Sequence, residues 1–220
     1  MQKLLNIAVL SLVLGWASAT SAQFTLTDQI IQTVSGGNPL SVGPGTAGFS
    51  FTVGSAPLTI ASLGVFDEFS DGVLSQSHEV GIWNATSQAL VASANVTPTA
   101  TFANSFFWVN LASPITLAAG TTYRIGAQYA DIDLDLARGN VPAGSVTVNS
   151  GVTLGDAYLS SGSGFQFPDL NVAAANSGFF GPNAGFSAVP EPSAYALVTG
   201  LGLVAFIAYR RFRTHEASTS

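Results

Sequence analysis

The chain has 220 residues, no cysteine, six lysines and arginines against twelve aspartates and glutamates, and a net charge of −6. Without cysteine there is no disulfide, no thiolate metal site and no thiol nucleophile. Between Gln23 and Ser193 the imbalance deepens to two arginines against eleven acids, 2 − 11 = −9 with no lysine, which argues against nucleic acid and anionic lipid as partners.

The N-terminus has the parts of a signal peptide: Lys3, an apolar run from Leu4 to Ala17, then small residues. Ala17-x-Ala19 and Thr20-x-Ala22 both fit a signal peptidase exit. The second cuts before Gln23, where the polar chain starts, and assigns residues 1–22 to the leader. An uncleaved N-terminal anchor is the alternative. Residues 23–188 then form one exported domain of ordinary size.

Its pattern is β throughout. Phe24–Val34 predicts a first strand, ended by Gly36-Gly37-Asn38-Pro39. Gly43-x-Gly45-x-x-Gly48 matches a dinucleotide fingerprint in letters only. The alternating Phe49, Phe51 and Val53 that follow predict a strand with one buried face, not the helix a pyrophosphate needs. Pro57–Asp67 is the next strand, Asp67–Gly72 a polar turn, and His78–Asn84 with Ala89–Val96 a hairpin turning through Thr86–Gln88. Phe106–Leu111 is apolar on both faces and predicts a central or covered strand. Pro114–Leu117 then leads to a turn at Ala119-Gly120. In Thr122–Tyr129 the alternation sends Tyr123, Ile125, Ala127 and Tyr129 inward, Arg124 and Gln128 outward. Val146–Val148, Val152–Leu159 and Ala184–Ala188 complete the strands, with Ser160–Gly164 and Asn176–Asn183 as flexible Gly-rich connections. Nine or ten short strands without a soluble helix predict an all-β fold, an antiparallel β-sandwich of jelly-roll type.

Several blocks occur in a fixed order: Gly48-Phe49-Ser50-Phe51, Leu63-Gly64-Val65-Phe66-Asp67, Ser77-His78-Glu79-Val80-Gly81-Ile82-Trp83, Leu90-Val91-Ala92-Ser93-Ala94 and Ala119-Gly120-Thr121-Thr122-Tyr123. Over about residues 48–130 the chain resembles the domain of unknown function DUF4082, an extracellular bacterial β-sandwich. The resemblance implies a fold and no catalytic residues.

Past Tyr129 the parity inverts: Ile132, Leu134 and Leu136 are apolar while Asp131, Asp133 and Asp135 alternate with them. A bulge or turn must reset the register, or the aspartates line a site. On a strand the three carboxylates would share a face and suit Ca²⁺. The plainer reading is the solvated face of an edge strand, and Asp67, Glu68 and Asp71 form a second acidic loop read the same way. His78 is the lone histidine before the tail, too little for a zinc site, and no Gly-x-Ser-x-Gly elbow accompanies it for a triad. It is expected to open a strand and touch a neighbouring loop. Trp83, Trp108, Phe106 and Tyr129 are read as core in preference to a sugar-stacking platform.

The C-terminus carries the most specific signal. Val189, Pro190, Glu191 and Pro192 form an extended, accessible element. An apolar run of sixteen residues follows, from Ala194 to Tyr209, which as a helix would span about 24 Å against a bilayer core of about 30 Å. Arg210, Arg211 and Arg213 come next and orient the last residues, 214–220, to the cytoplasm. The order of these parts over 189–213 resembles the PEP-CTERM sorting signal. The resemblance implies processing by exosortase, a membrane transpeptidase, near Pro190–Pro192, after transient anchoring by a transmembrane helix. The expected function is that of a non-catalytic surface or extracellular-matrix protein in contact with exopolysaccharide. The alternatives are a secreted glycan-active enzyme using paired carboxylates and an ectodomain that stays anchored in the membrane.

Overall fold

The computed structural model describes residues 28–131, 133–142, 144–173 and 178–186. The leader, the Val189–Pro192 motif, the apolar run and the arginine cluster lie outside the described residues. Among the described residues no helix is long and apolar enough to cross a membrane.

Among the described residues there are fifteen extended segments, eleven of which build two main sheets. The first orders β1 (Asp28–Gln29), β15 (Pro182–Phe186), β5 (Leu58–Phe66), β9 (Phe106–Leu117) and β8 (Thr101–Ala103). The second orders β14 (Leu170–Ala173), β13 (Val152–Leu159), β4 (Gly45–Val53), β10 (Thr122–Tyr129), β6 (His78–Asn84) and β7 (Leu90–Val96). Two small ribbons pair β3 (Asn38–Leu40) with β11 (Ala137–Gly139), and β2 (Ile31–Val34) with β12 (Val146–Val148). All these pairings are antiparallel. One apolar core takes Phe49, Phe51, Ile82 and Ile125 from the second sheet and Ile60, Leu63, Phe107 and Ala184 from the first. The result is a β-sandwich-like, all-β fold.

Strand β10 follows its alternation, with Tyr123, Ile125, Ala127 and Tyr129 all buried. Strand β4 does not stop at one buried face. Ala47, Phe49, Phe51 and Val53 face the core, yet Thr46 and Ser50 on the opposite side are buried as well. Ser50 packs against β13, its hydroxyl 3.4 Å from the Asp156 carbonyl, and Thr46 is covered by the 160–169 connection, which lies across that side. The Thr46 hydroxyl donates to the Gly164 carbonyl (3.1 Å) and accepts from the Gln166 amide (3.0 Å). Arg124 donates to the Pro168 carbonyl (2.6 Å), with its guanidinium 3.7 Å from the centre of the Tyr158 ring and 4.5 Å from that of Phe167. Gly48, Gly126 and Gly81 stand in register across β4, β10 and β6 on this covered side. A Cβ at Gly81 would come within 2.6 Å of the Phe165 ring, so the absent side chain is what lets the loop approach.

Strand β9 runs past the predicted Leu111 to Leu117. Pro114 lies inside it, where the pairing with β5 shifts register between Ile60 and Ser62, and there its missing N–H is tolerated. Phe106, Phe107 and Trp108 are buried on both faces as expected, and only these three residues pair with β8. Strand β15 starts at Pro182 rather than Ala184. The side chain of the fully buried Asn183 accepts from the Ile31 amide (3.0 Å) and donates to the Ile31 carbonyl (2.9 Å), which ties β15 to β2.

Candidate functional site: a buried histidine–carboxylate cluster

The segment after Tyr129 is not a strand, so the three aspartates do not project from one face. The chain leaves the sheet at Ala130 and folds on its own carboxylate. Asp133 accepts from the amides of Ala130 (2.8 Å) and Asp135 (3.0 Å), the local bonding that aspartate favours in turns. This loop resets the parity. It turns Asp133 and Asp135 inward, leaves Leu134 65% exposed and keeps Asp131 on the surface. The edge-strand reading of the aspartates is thereby corrected: backbone amides draw two of them in, and a hydrophobic side chain takes the solvent position. The 67–71 loop departs from the solvated reading too, since Asp67 and Glu68 are buried and only Asp71 is exposed.

Asp135 also accepts from the amides of Ser75 (2.8 Å to Oδ2) and Gln76 (2.9 Å), binding the loop ahead of β6 to the loop after β10. His78, the first residue of β6, fills the space between them. Its Nδ1 lies 2.9 Å from the Gln128 carbonyl oxygen and 3.9 Å from Asp133 Oδ2; its Nε2 lies 3.2 Å from Asp135 Oδ2. A carbonyl can only accept, so Nδ1 donates to Gln128, and Nε2 donates to the Asp135 carboxylate when the ring is protonated. Burial on its own pushes His78 towards neutrality. The hydrogen bonds to Asp135 and Gln128 and the charges of Asp133 and Asp135 outweigh it and hold the pKa above the ordinary histidine value. For Asp135 burial works upward, but the bonds from His78, Ser75 and Gln76 bring its pKa below the usual carboxylate range. The Tyr129 ring lies 5.2 Å from His78, and burial, reinforced by the charges of Asp133, Asp135 and Glu68, pushes its phenol far above the ordinary tyrosine value.

His78, Asp133 and Asp135 each offer an atom within 4.8 Å of the others, a spacing a metal ion could bridge. The bonding argues otherwise. The protonated ring has no lone pair to give, and the carboxylates are already engaged by the amides of Ala130, Asp135, Ser75 and Gln76. Of the three residues considered for calcium, Asp133 and Asp135 meet at one point and Asp131 does not join them.

A scan against protein-family models finds no match for this chain, and a search of curated proteins finds none either. The PEP-CTERM and DUF4082 resemblances accordingly rest on the residues that carry them.

A second polar centre was not foreseen from the sequence. Arg138 of β11 donates to the Glu68 carboxylate (2.7 Å), the Glu68 carbonyl (3.0 Å) and the Gly36 carbonyl (3.1 Å). The one signal available was composition: residues 23–193 hold two arginines against eleven acids. Arg138 found a buried carboxylate and Arg124 two aromatic rings. Trp83, Trp108, Phe106 and Tyr129 are all buried, the core role expected of them.

Proposed function

We propose that this chain is an exported, non-catalytic surface or extracellular-matrix protein, released from a transient membrane anchor by exosortase and in contact with exopolysaccharide. The observation that carries the reading is the tail: Val189–Pro192, the apolar run 194–209 and Arg210, Arg211 and Arg213, in that order. Signal peptidase would remove residues 1–22, and the exported part would be a DUF4082-like, jelly-roll-type sandwich. The nested antiparallel pairings of β1 with β15, β4 with β13 and β6 with β10 support that topology. The burial of the cluster favours the non-catalytic part: the His78 side chain has no exposed surface at which to meet a substrate.

The test is the mass of the full chain expressed with and without an exosortase. Loss of the residues after the Pro190–Pro192 region, dependent on that enzyme, is expected; retention of Ala194–Arg213 in the exported form refutes the sorting reading. Turnover in a glycan-hydrolysis screen that disappears in Asp133→Asn or Glu68→Gln would refute the non-catalytic part.

A further inference from the structure

A cleft of about 270 Å³ opens at the junction of β2, the 67–72 turn and the β8–β9 hairpin, near the lower end of the ~300–1,000 Å³ of small-molecule sites. Ser70, Asn104 and Ser105 line it, with Gln32 and Arg138 beside them and Phe66 and Phe106 as its floor. Ser70, Asn104 and Ser105 have φ of 55°, 50° and 66°. Such angles strain serine and favour glycine, whereas asparagine tolerates them. The same chain places Gly36, Gly37, Gly72 and Gly120 at other left-handed positions. Asn104 and Ser105 form the two-residue turn between Ala103 and Phe106, where the second position most favours glycine, and this one carries serine. Neither serine hydroxyl nor the Asn104 amide bonds to any described residue. Side chains kept at conformational cost and left unused by the fold mark a place where strain serves function.

From this cleft we infer a binding site for a neutral, hexose-based glycan, contacted by Ser70, Asn104 and Ser105. The inference rests on the proposed glycan contact and assigns it a place. The lining offers the polar groups a sugar requires: hydroxyls, the planar amides of Asn104 and Gln32, and a guanidinium. Phe66 and Phe106 pack against each other at 5.2 Å and are 7% and 2% exposed, so they present edges and leave no face for stacking a flat base. Charge selects a neutral ligand. The cation at the cleft, Arg138, is already compensated by Glu68 at 2.7 Å, and the exported stretch carries −9 overall (2 − 11). An anionic glycan meets repulsion with nothing to offset it.

The experiment is an amide NMR titration of the full chain in detergent micelles. Cellohexaose, laminarihexaose and mannohexaose serve as neutral probes and polygalacturonate as the acidic contrast. The comparison variant is S70G/S105G. Saturable shifts at Ser70, Asn104 and Ser105 with a neutral probe are expected, and a loss of about tenfold or more in affinity in the variant. Glycine relieves the positive φ, so the variant should melt at a higher temperature while binding more weakly; a merely structural role would not separate the two readouts. Undiminished binding by the variant, or tighter binding of polygalacturonate at these residues, overturns the inference. Saturable shifts centred elsewhere overturn this site and leave glycan contact standing. Silence with every neutral probe overturns both.

Discussion

Replacing Asp135 by asparagine tests the central cluster most directly. The substitution preserves shape, and the carboxamide oxygen it introduces can still accept from the amide of Ser75 or Gln76. It removes the charge opposite His78, whose side chain is 0% exposed against 7% for Asp135. Breaking a buried ion pair from one side costs about 3–5 kcal/mol, because the remaining charge is stranded. For a domain of this size each kcal/mol moves Tm by about 2–4 °C, so a fall of about 6–20 °C is expected near pH 6. The pH profile sharpens the test. The lowered pKa of Asp135 adds stability above the ordinary carboxylate range that is lost as pH falls through its folded value. The raised pKa of His78 adds stability that is complete below the ordinary imidazole value and is lost as pH rises through its folded value. The unsubstituted protein should therefore be most stable between about pH 4 and 6.5 with respect to this pair. In Asp135→Asn burial dominates His78, so the variant should recover as pH rises and the gap between the two proteins should narrow. Emission from the buried Trp83 and Trp108 reports unfolding. A variant melting within about 2 °C of the parent near pH 6, or a gap that is as wide at alkaline pH as near pH 6, would refute an ionised pair; a shift of about 2 °C is under about 1 kcal/mol.

Excess Ca²⁺ should leave Tm unchanged, because the inward carboxylates are already engaged; a native-state site would instead add about 2.7 kcal/mol at a hundredfold excess over its Kd. Asn183→Ala should cost about 1–3 kcal/mol for each Ile31 backbone group left unpaired and speed amide exchange at Ile31; unchanged exchange would contradict the tie between β15 and β2. Gly81→Ala should cost about 1–3 kcal/mol by forcing Phe165 away from β6, with a shift in Trp83 emission, and an unaltered spectrum would mean the 160–169 loop is not held there.

Much of the fold was legible. The alternation in Thr122–Tyr129 and the boundaries of His78–Asn84 could be read directly, because a side chain two residues along a strand meets the same environment. The double burial of β4 was not legible, since it depends on a loop more than a hundred residues away reaching Thr46. The parity break after Tyr129 was visible as a conflict, but its resolution was not: amides of Ala130 and Ser75 decided which aspartates turned inward.

The β class, the acidic lysine-free character of residues 23–193 and the order of parts in the tail could be read from the sequence alone. These are properties of composition and of neighbours a few residues apart. Only the tertiary structure decided the chemistry of individual side chains. His78 meets Asp135 across 57 positions, Arg138 meets Glu68 across 70 and Ile31 meets Asn183 across 152. Ionisation and polar satisfaction depend on what lies within a few ångströms in space, and strand periodicity carries no record of which distant residue that will be.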